Sequence, residues 1–411
     1  MEIGFAEALL VVGALVAVTA GLAGWLRGTV LSISVLSVAA GVALSAADVL
    51  TVRPEAAIVL FVVELALILT LFSDGLFVER ELLEAHWGPP ARALVIAMPL
   101  TLCLLALAGK LLFPQLSWEE AFLLGAVLSP TDPVVTSSVV TSPRVPRVVR
   151  HTLNLESGLN DGLALPFVLF FLVVATHTSG AAGEAAKLGG EAVVGAAIGV
   201  ALAWVGGRAL TFLPGGGLAP RYEGVYALGL GLVAFGLAEV TFGNGLIAAF
   251  VAGIALAVIR HDVPDAFSEF NESVSATFQV ITFVVFGALI ETIGFSGNEL
   301  ALVVFIAFAL LVARPAAVWA ALLGVDLARP LKLFIAWFGP KGVASMLFAL
   351  LVLTSGVENR TLVFEIASFT VLASIVAHGF TDTLGAAWID RRLEDGAAQR
   401  PSPVASQAPP G

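Results

Sequence analysis

The chain has 411 residues, of which 59% are hydrophobic and 12% are charged, and its 31 acidic and 20 basic side chains give a net charge of -11. Apolar runs long enough to cross a bilayer, about 18 residues or more, recur along the chain. The composition therefore excludes an ordinary soluble protein and predicts an all-α polytopic membrane protein. The single cysteine, Cys103, cannot form an internal disulfide.

About thirteen apolar segments are predicted to span the membrane, because each is bounded by charged or Gly/Pro-rich turns. In chain order they cover residues 5–26, 29–47, 55–74, 91–113, 119–141, 153–176, 186–210, 222–240, 244–260, 266–291, 299–322, 331–354 and 360–387. Arg and Lys concentrate in the turns after odd-numbered segments, so the positive-inside rule predicts an outside N-terminus and a cytoplasmic C-terminus. We predict one transmembrane domain over 1–393 and a disordered, Pro-rich cytoplasmic tail over 394–411.

Two of these segments are interrupted by proline. Segment 5 contains Ser129-Pro130-Thr131-Asp132-Pro133, and segment 12 contains Gly339-Pro340-Lys341-Gly342. Irregular backbone at membrane depth survives only against protein or a water-filled cavity. Each break lies in the fifth segment of a six-segment set (segments 1–6 and 8–13), and the odd segment 7 makes the two sets opposite in orientation. This pattern predicts two inverted repeats with a substrate site where the broken helices cross, although the residues show no convincing self-similarity.

Segment 6 carries two carboxylates within the motif Glu156-Ser157-Gly-Leu-Asn160-Asp161-Gly162. Charge at such depth costs at least about 2.5–3.5 kcal/mol per group, which favours a functional role. On a helix, Glu156 and Asn160 share one face, and Ser157 and Asp161 share the neighbouring face. The Ser157–Asp161 face offers hard oxygen ligands for a small cation, whereas Glu156 needs a positive partner. We predict that Lys341 is this partner and that Asn160 links the two faces by hydrogen bonding.

The sequence has the Ser-Pro-Thr-Asp-Pro motif of segment 5, then the segment 6 motif, then Gly-Pro-Lys-Gly in segment 12. These motifs, the first two above all by their order and spacing, resemble the NhaP-type sodium/proton antiporter branch of the monovalent cation:proton antiporter family. Weaker matches are Leu71-Phe-Ser-Asp74-Gly-Leu76 and the Gly-rich stretch 243–253. The resemblance implies that Asp161 and Ser157 bind the cation directly together with the main-chain oxygen of Thr131. It also implies water-mediated contributions from Asp132 and from an acid of segment 3. Asp74 is the candidate for that acid, and Glu64 is its rival.

The same resemblance implies exchange of sodium, or lithium, for protons by a homodimer in the cell (inner) membrane. The Asn-Asp dipeptide at 160–161 implies electroneutral one-for-one exchange in this family. The family's usual residue at position 341 is arginine, however, and a buried lysine can lose its proton, so the stoichiometry stays open. No cofactor, nucleic-acid partner or enzymatic activity is expected, because the sequence contains no P-loop, dinucleotide turn, Cys/His cluster or evident catalytic pair.

The mechanism expected from these residues is competition at one carboxylate. If Asp161 holds either a proton or a cation, and the protein changes face only when that charge is neutralised, the flux of one ion drives the counterflux of the other. A potassium or ammonium antiporter of the same fold is an alternative, and a cation channel or sensor is a further one. Arg314 in segment 11 fits a snorkelling structural role or a functional one, and His378 fits a hydrogen-bonded core role better than that of a pH sensor.

Overall fold

Every regular element in the described part of the computed structural model is a helix. The structure describes residues 33–50, 52–53, 56–82, 88–132, 144–176, 181–209, 220–259 and 265–398, with isolated positions at 10–21, 139 and 142. Apart from those positions, predicted segment 1 and the second half of segment 5 lie outside the described residues, as does the end of the tail, 399–411.

The helices follow the predicted segments in order. They are α1 (Ile33–Ala46), α2 (Ala57–Leu82), α3 (Gly88–Leu112), α4 (Trp118–Val127), α5 (Arg147–Thr176), α6 (Ala181–Ala209), α7 (Pro220–Glu239), α8 (Gly245–Ile259), α9 (Asp265–Ile293), α10 (Glu299–Ala321), α11 (Arg329–Trp337), α12 (Val343–Leu353) and α13 (Arg360–Ala398). Segment 12 is divided into α11 and α12 as predicted, and α4 ends before the proline motif of segment 5, whose second half lies outside the described residues.

Several helices extend beyond the predicted spans. The α2 helix continues to Leu82, and α5 begins at Arg147. The α13 helix continues to Ala398, so the prediction that the disordered tail begins at 394 is wrong for residues 394–398. Hydropathy marks the part of a helix that matches the hydrocarbon layer, whereas Arg, Glu and Ala extend the same helix beyond it.

Five helices in the described residues are long and apolar enough to cross a membrane. They cover Gly88–Leu112, Arg147–Thr176, Ala186–Ala209, Glu299–Ala321 and Arg360–Asp382. Shorter apolar helices include Gly245–Ile259 and Val343–Leu353. The α12 helix lies against α2, α4, α9 and α13, and most of its side chains are buried. The break that precedes α12 therefore lies inside the protein, where irregular backbone is tolerated.

Glycines bring several pairs of helices into backbone contact, among them α1 with α9 and α2 with α8. A Cβ atom on Gly41 of α1 would meet the carbonyl of Val284 in α9. A Cβ atom on Gly75 of α2 would meet the main chain of α8, and one on Gly253 of α8 would meet the main chain of α2. Small residues permit such close approach between apolar helices. The second contact fixes the position of Asp74, which precedes Gly75.

The α3 and α10 helices share a local irregularity. Each contains a π-helical turn, Ala93–Ala97 in α3 and Ala309–Ala313 in α10. The sequences from these turns to the following proline are similar: Ala-Leu-Val-Ile-Ala-Met-Pro at 93–99 and Ala-Leu-Leu-Val-Ala-Arg-Pro at 309–315. The two helices pack antiparallel, since Arg92 donates hydrogen bonds to the carbonyls of Ala321 and Leu323, and Phe113 contacts Phe305.

Candidate functional site

The two interrupted segments meet at their breaks. The backbone amide of Asp132 donates a hydrogen bond of 2.9 Å to the carbonyl of Pro340. Both positions are buried or nearly so, with Asp132 7% exposed. The contact satisfies two backbone groups that a continuous helix would have paired internally. The two proline motifs are therefore in direct contact, as a site formed where the broken helices cross would require.

The partial charge of the helix end at each break is offset by a charged side chain from the other break. The ammonium group of Lys341 donates to the carbonyls of Ser129 and Pro130 at 3.3 and 3.2 Å, at the C-terminal side of α4. The carboxylate of Asp132 accepts a bond of 3.0 Å from the amide of Val343, the first residue of α12. A cation at a helix C-terminus and an anion at a helix N-terminus both complement the helix dipole. Gly342 permits this arrangement, because a Cβ atom there would overlap the Asp132 carboxylate.

The site face of α5 joins the break through Thr131. The Asn160 amide donates a hydrogen bond of 2.7 Å to the Thr131 hydroxyl, which is 3.4 Å from the hydroxyl of Ser157. All three side chains are buried. Thr131 therefore lies against both polar faces of α5, and the predicted linking contact of Asn160 is made to Thr131.

Asp161 and Asp74 lie together beside this contact. Their carboxyl groups lie within hydrogen-bonding reach of each other, and Asp132 is close enough to interact electrostatically with both. Oδ1 of Asp161 and Oδ2 of Asp74 have no hydrogen-bond partner among the described residues. Two carboxyl groups in contact repel each other unless a proton or a cation lies between them. The pair can thus hold either kind of ion.

The α8 helix positions both members of this pair. Gly75, next to Asp74, contacts the main chain of α8, and Gly162, next to Asp161, lies against the ring of Phe250. A Cβ atom on Gly162 would overlap that ring. The Asp-Gly dipeptides of α2 and α5 are therefore held against one helix, the one that carries the Gly-rich stretch 243–253.

The predicted ion pair between Glu156 and Lys341 is wrong. Arg314 of α10 makes the pair instead, with Nη1–Oε1 and Nη2–Oε2 distances of 2.6 and 3.1 Å to Glu156. The planar guanidinium matches a carboxylate with two parallel bonds, whereas the Lys341 ammonium is directed to the carbonyls of the other break. The sequence alone singles out Arg314, because it is a basic residue within a largely apolar segment.

Two other residues singled out from the sequence, Glu64 and His378, have surroundings that differ from those of the Asp161 site. Glu64 has an exposed side chain and interacts with Glu239 of α7, so the structure does not bring it to Asp161. His378 is buried, with its ring nitrogens against Ser374 and the carbonyl of Trp337. This environment agrees with the expected hydrogen-bonded core histidine.

Residues 11–384 match the sequence profile of a family described as sodium/hydrogen exchanger, transmembrane. The chain belongs to this family. The resemblance to NhaP-type cation:proton antiporters is thereby confirmed, and the exchanger family comprises transporters rather than enzymes.

Two relatives illustrate the range of ions within the family. The K(+)/H(+) antiporter NhaP of Alkalimonas amylolytica is 25% identical over 332 residues, which cover 79% of this chain and 56% of that protein. The Na(+)/H(+) antiporter 2 of Zygosaccharomyces rouxii is 27% identical over 365 residues, which cover 78% of this chain and 45% of that protein. The chain thus spans about half the length of these curated relatives.

The fold also has solved counterparts. The sodium proton antiporter MjNhaP1 from Methanocaldococcus jannaschii at pH 8 superposes with a TM-score of 0.75 at 19% identity, covering 93% of this chain and 99% of that one. A second structure of MjNhaP1, obtained by electron microscopy, gives a TM-score of 0.77 at 20% identity and covers 97% of this chain and all of that one, 100%. This exchanger family member is therefore an α-helical multi-pass membrane protein, as predicted.

Proposed function

We propose that this exchanger family member is a secondary antiporter that exchanges a monovalent cation for protons, with Asp161 as the shared binding site. The observation that carries the proposal is the contact between the buried carboxyl group of Asp161 and that of Asp74, each with an oxygen that lacks a partner among the described residues. A pair that must hold a proton or a cation is suited to exchange one for the other.

Neighbouring oxygens supply the remaining ligands in this proposal. Ser157 binds the cation directly through its hydroxyl, Thr131 binds it through its main-chain oxygen, and Asp132 contributes through water. The hydrogen bonds that hold Thr131 against α5 support this assignment. A dehydrated monovalent cation needs several oxygens, and the broken helix provides carbonyl groups beside the carboxylates.

Transport follows from competition at Asp161. The protein alternates between faces, by an elevator-like or rocking movement, only when the charge of Asp161 is neutralised by a cation or a proton. Asn160, the neighbour of Asp161, is neutral, which favours electroneutral exchange of one cation for one proton. Lys341 supplies a second titratable group, so the stoichiometry is measured in the test below.

The membrane topology is part of the same proposal. Two six-helix inverted repeats place α3 and α10 at equivalent positions, and their matching π-helical turns and prolines support this equivalence. The distribution of Arg and Lys supports an outside N-terminus and a cytoplasmic C-terminus. We further propose that the protein works as a homodimer in the cell membrane.

Sodium, or lithium, is the proposed substrate cation. Potassium, or ammonium, is the second candidate, because relatives of similar identity are named as potassium/proton antiporters. Carboxylate, hydroxyl and carbonyl oxygens bind all of these ions, so the ligand types alone do not separate them.

The proposal is tested in proteoliposomes with an acidic lumen and no membrane potential. Sodium, lithium, potassium or ammonium is added outside while a lumenal dye reports pH, and Asp161→Asn is the matched variant because it changes only the charge and one oxygen. We expect cation-dependent alkalinisation that the variant lacks, and the ion with the lowest half-maximal concentration is the substrate. In a sodium assay, a rate that is independent of an imposed membrane potential would support one-for-one exchange.

A cation channel or sensor remains the competing function. A channel conducts cations without moving protons, and a sensor binds them without flux. Folded protein that gives no lumenal pH change with any cation would overturn the antiporter proposal. Alkalinisation that persists in Asp161→Asn would overturn the assignment of the site.

A further inference from the structure

A ladder of polar side chains on α13 lies against the break between α11 and α12. Ser374, His378 and Thr381 follow one face of α13, since they are spaced by four and three residues. The Lys341 amide donates to the Ser374 hydroxyl at 2.9 Å, and the Trp337 indole donates to the Thr381 hydroxyl at 2.9 Å. The His378 ring, which stacks on Trp337, has Nε2 at 3.0 Å from the Trp337 carbonyl.

These contacts pair polar groups that the break leaves without helical partners. The Trp337 carbonyl and the Lys341 amide lie on opposite sides of Pro340, and both are satisfied by α13. Ser374 and His378 are deeply buried, 0% and 2% exposed, whereas Thr381 is half-buried. An unpaired buried polar group is costly in an apolar environment, so removing one member leaves a defect at a defined point of the break.

The hydrogen bonds form one directional chain. The Ser374 hydroxyl accepts from Lys341 and has its own proton available for His378 Nδ1, which is 3.3 Å away. The His378 ring lies between two main-chain carbonyls, with Nε2 3.0 Å from that of Trp337 and Nδ1 2.8 Å from that of Ser374. A neutral ring donates to one of them, and the tautomer with its proton on Nε2 donates to the Trp337 carbonyl while Nδ1 accepts from the Ser374 hydroxyl.

We propose that Ser374 and His378 are positioning residues for cation binding and act through Lys341. Ser374 holds the Lys341 amide, and His378 holds Ser374 and the Trp337 carbonyl on the other side of the break. The Lys341 ammonium in turn holds the carbonyls of Ser129 and Pro130, which directly precede Thr131 and Asp132. The ladder thus sets the geometry of the broken backbone that supplies cation ligands. This inference rests on the antiporter function proposed above.

Two buried serines of α13 provide a matched test. Ser374 holds the Lys341 amide, whereas the hydroxyl of Ser368, 1% exposed, has no hydrogen-bond partner in the described part of the chain. Ser374→Ala and Ser368→Ala are compared in proteoliposomes for apparent KM and maximal rate with sodium and with potassium, normalised to folded protein. We expect Ser374→Ala to raise the KM of the transported cation roughly three- to tenfold, with a maximal rate within about twofold of wild type. Ser368→Ala should leave both values unchanged.

His378 gives a second test that does not depend on Ser374→Ala folding. The side-chain amide of His378→Gln can accept from Ser374 and donate to the Trp337 carbonyl, whereas His378→Leu can do neither. We expect His378→Leu to raise KM as Ser374→Ala does and His378→Gln to restore much of the loss. The double variant Ser374→Ala/His378→Leu should raise KM no more than the larger single effect, because the two residues act in one chain.

The outcomes separate this inference from the proposed function. Wild-type exchange with an unchanged KM in Ser374→Ala and His378→Leu would overturn the positioning role and leave the antiporter proposal intact. A lower yield of folded protein with an unchanged KM would mean a purely structural ladder and would also overturn it. Absence of exchange by the wild-type protein would instead remove the proposed function.

Discussion

Arg314 and Glu156 form a two-point ion pair between α10 and α5, with both side chains buried at 7% and 4% side-chain exposure. The pair links the helix that carries the second π-helical turn to the helix that carries Asp161. Gly339 leaves the space for it, since a Cβ atom there would overlap the Arg314 guanidinium. The ion pair therefore depends on three separate parts of the chain.

Breaking this pair should destabilise the protein strongly. Arg314→Gln or Glu156→Gln removes one partner, and each variant leaves the other charge buried and uncompensated, a defect that costs about 3–5 kcal/mol. The double variant Arg314→Met/Glu156→Leu should recover much of the loss, because no charge remains buried. Melting temperatures measured in detergent test whether the single variants are less stable than the double variant. Arg144→Gln is the control, since Arg144 and its partner Asp390 are exposed and 4.0 Å apart. Equal melting temperatures for Arg314→Gln and Arg144→Gln would contradict the prediction.

The acid of α2 that serves the site should be Asp74 rather than Glu64. Asp74→Asn removes one of the two contacting carboxylates, so we expect the cation KM to rise by about tenfold or more, or exchange to be lost. Glu64→Gln should have little effect because its side chain is exposed and interacts with Glu239. The same proteoliposome assay compares the two variants. A larger loss of exchange in Glu64→Gln than in Asp74→Asn would assign the role to Glu64.

Two glycines of one motif should respond differently to alanine. A Cβ atom on Gly162 would overlap the Phe250 ring, whereas one on Gly158 has open space around it. Gly158→Ala should be neutral or stabilising by up to about 1 kcal/mol, since alanine favours a helix over glycine. Gly162→Ala should displace α8 from α5 and impair cation binding at the adjacent Asp161. A paired measurement of melting temperature and cation KM tests this, and a partial rescue by Phe250→Leu would identify the overlap as the cause.

Protons should compete with the cation at low pH. If one site holds either ion, then below the pKa at which that site takes up its proton each further pH unit raises the apparent cation KM about tenfold. The maximal rate at saturating cation is preserved. Initial rates over a matrix of pH and cation concentration measure this. A fall in maximal rate at constant KM would point to a separate inhibitory proton site instead of competition.

Much of the architecture was accessible from the sequence, because membrane-spanning helices need long apolar runs and backbone breaks need proline. The segments in the described residues follow this rule, since one proline motif divides segment 12 and the other follows the end of α4. Helix ends were less accessible, as at Leu82 and Ala398, since charged residues prolong a helix outside the apolar layer. The similarity between 93–99 and 309–315 is too short to indicate a repeat in the sequence, and it gains meaning only because both stretches form π-helical turns.

Side-chain pairing was the part that sequence reasoning could not settle. Lys341 and Arg314 are both buried cations, and either has the charge to pair with Glu156. Which of them pairs with Glu156 depends on where α10 packs against α5. It also depends on the direction that the backbone at the break of segment 12 gives to the Lys341 side chain. The α13 ladder was likewise hidden, since Ser374, His378 and Thr381 acquire a role only when they face that break.

The sequence by itself determined the helical membrane fold, the two breaks and the motif that carries Asp161, because hydropathy, proline geometry and helical periodicity act locally along the chain. Only the tertiary structure decided which acid reaches Asp161 and which cation pairs with Glu156. Those choices depend on interatomic distances between helices that are far apart in sequence, and the glycine contacts of α8 and the crossing of the broken helices set these distances.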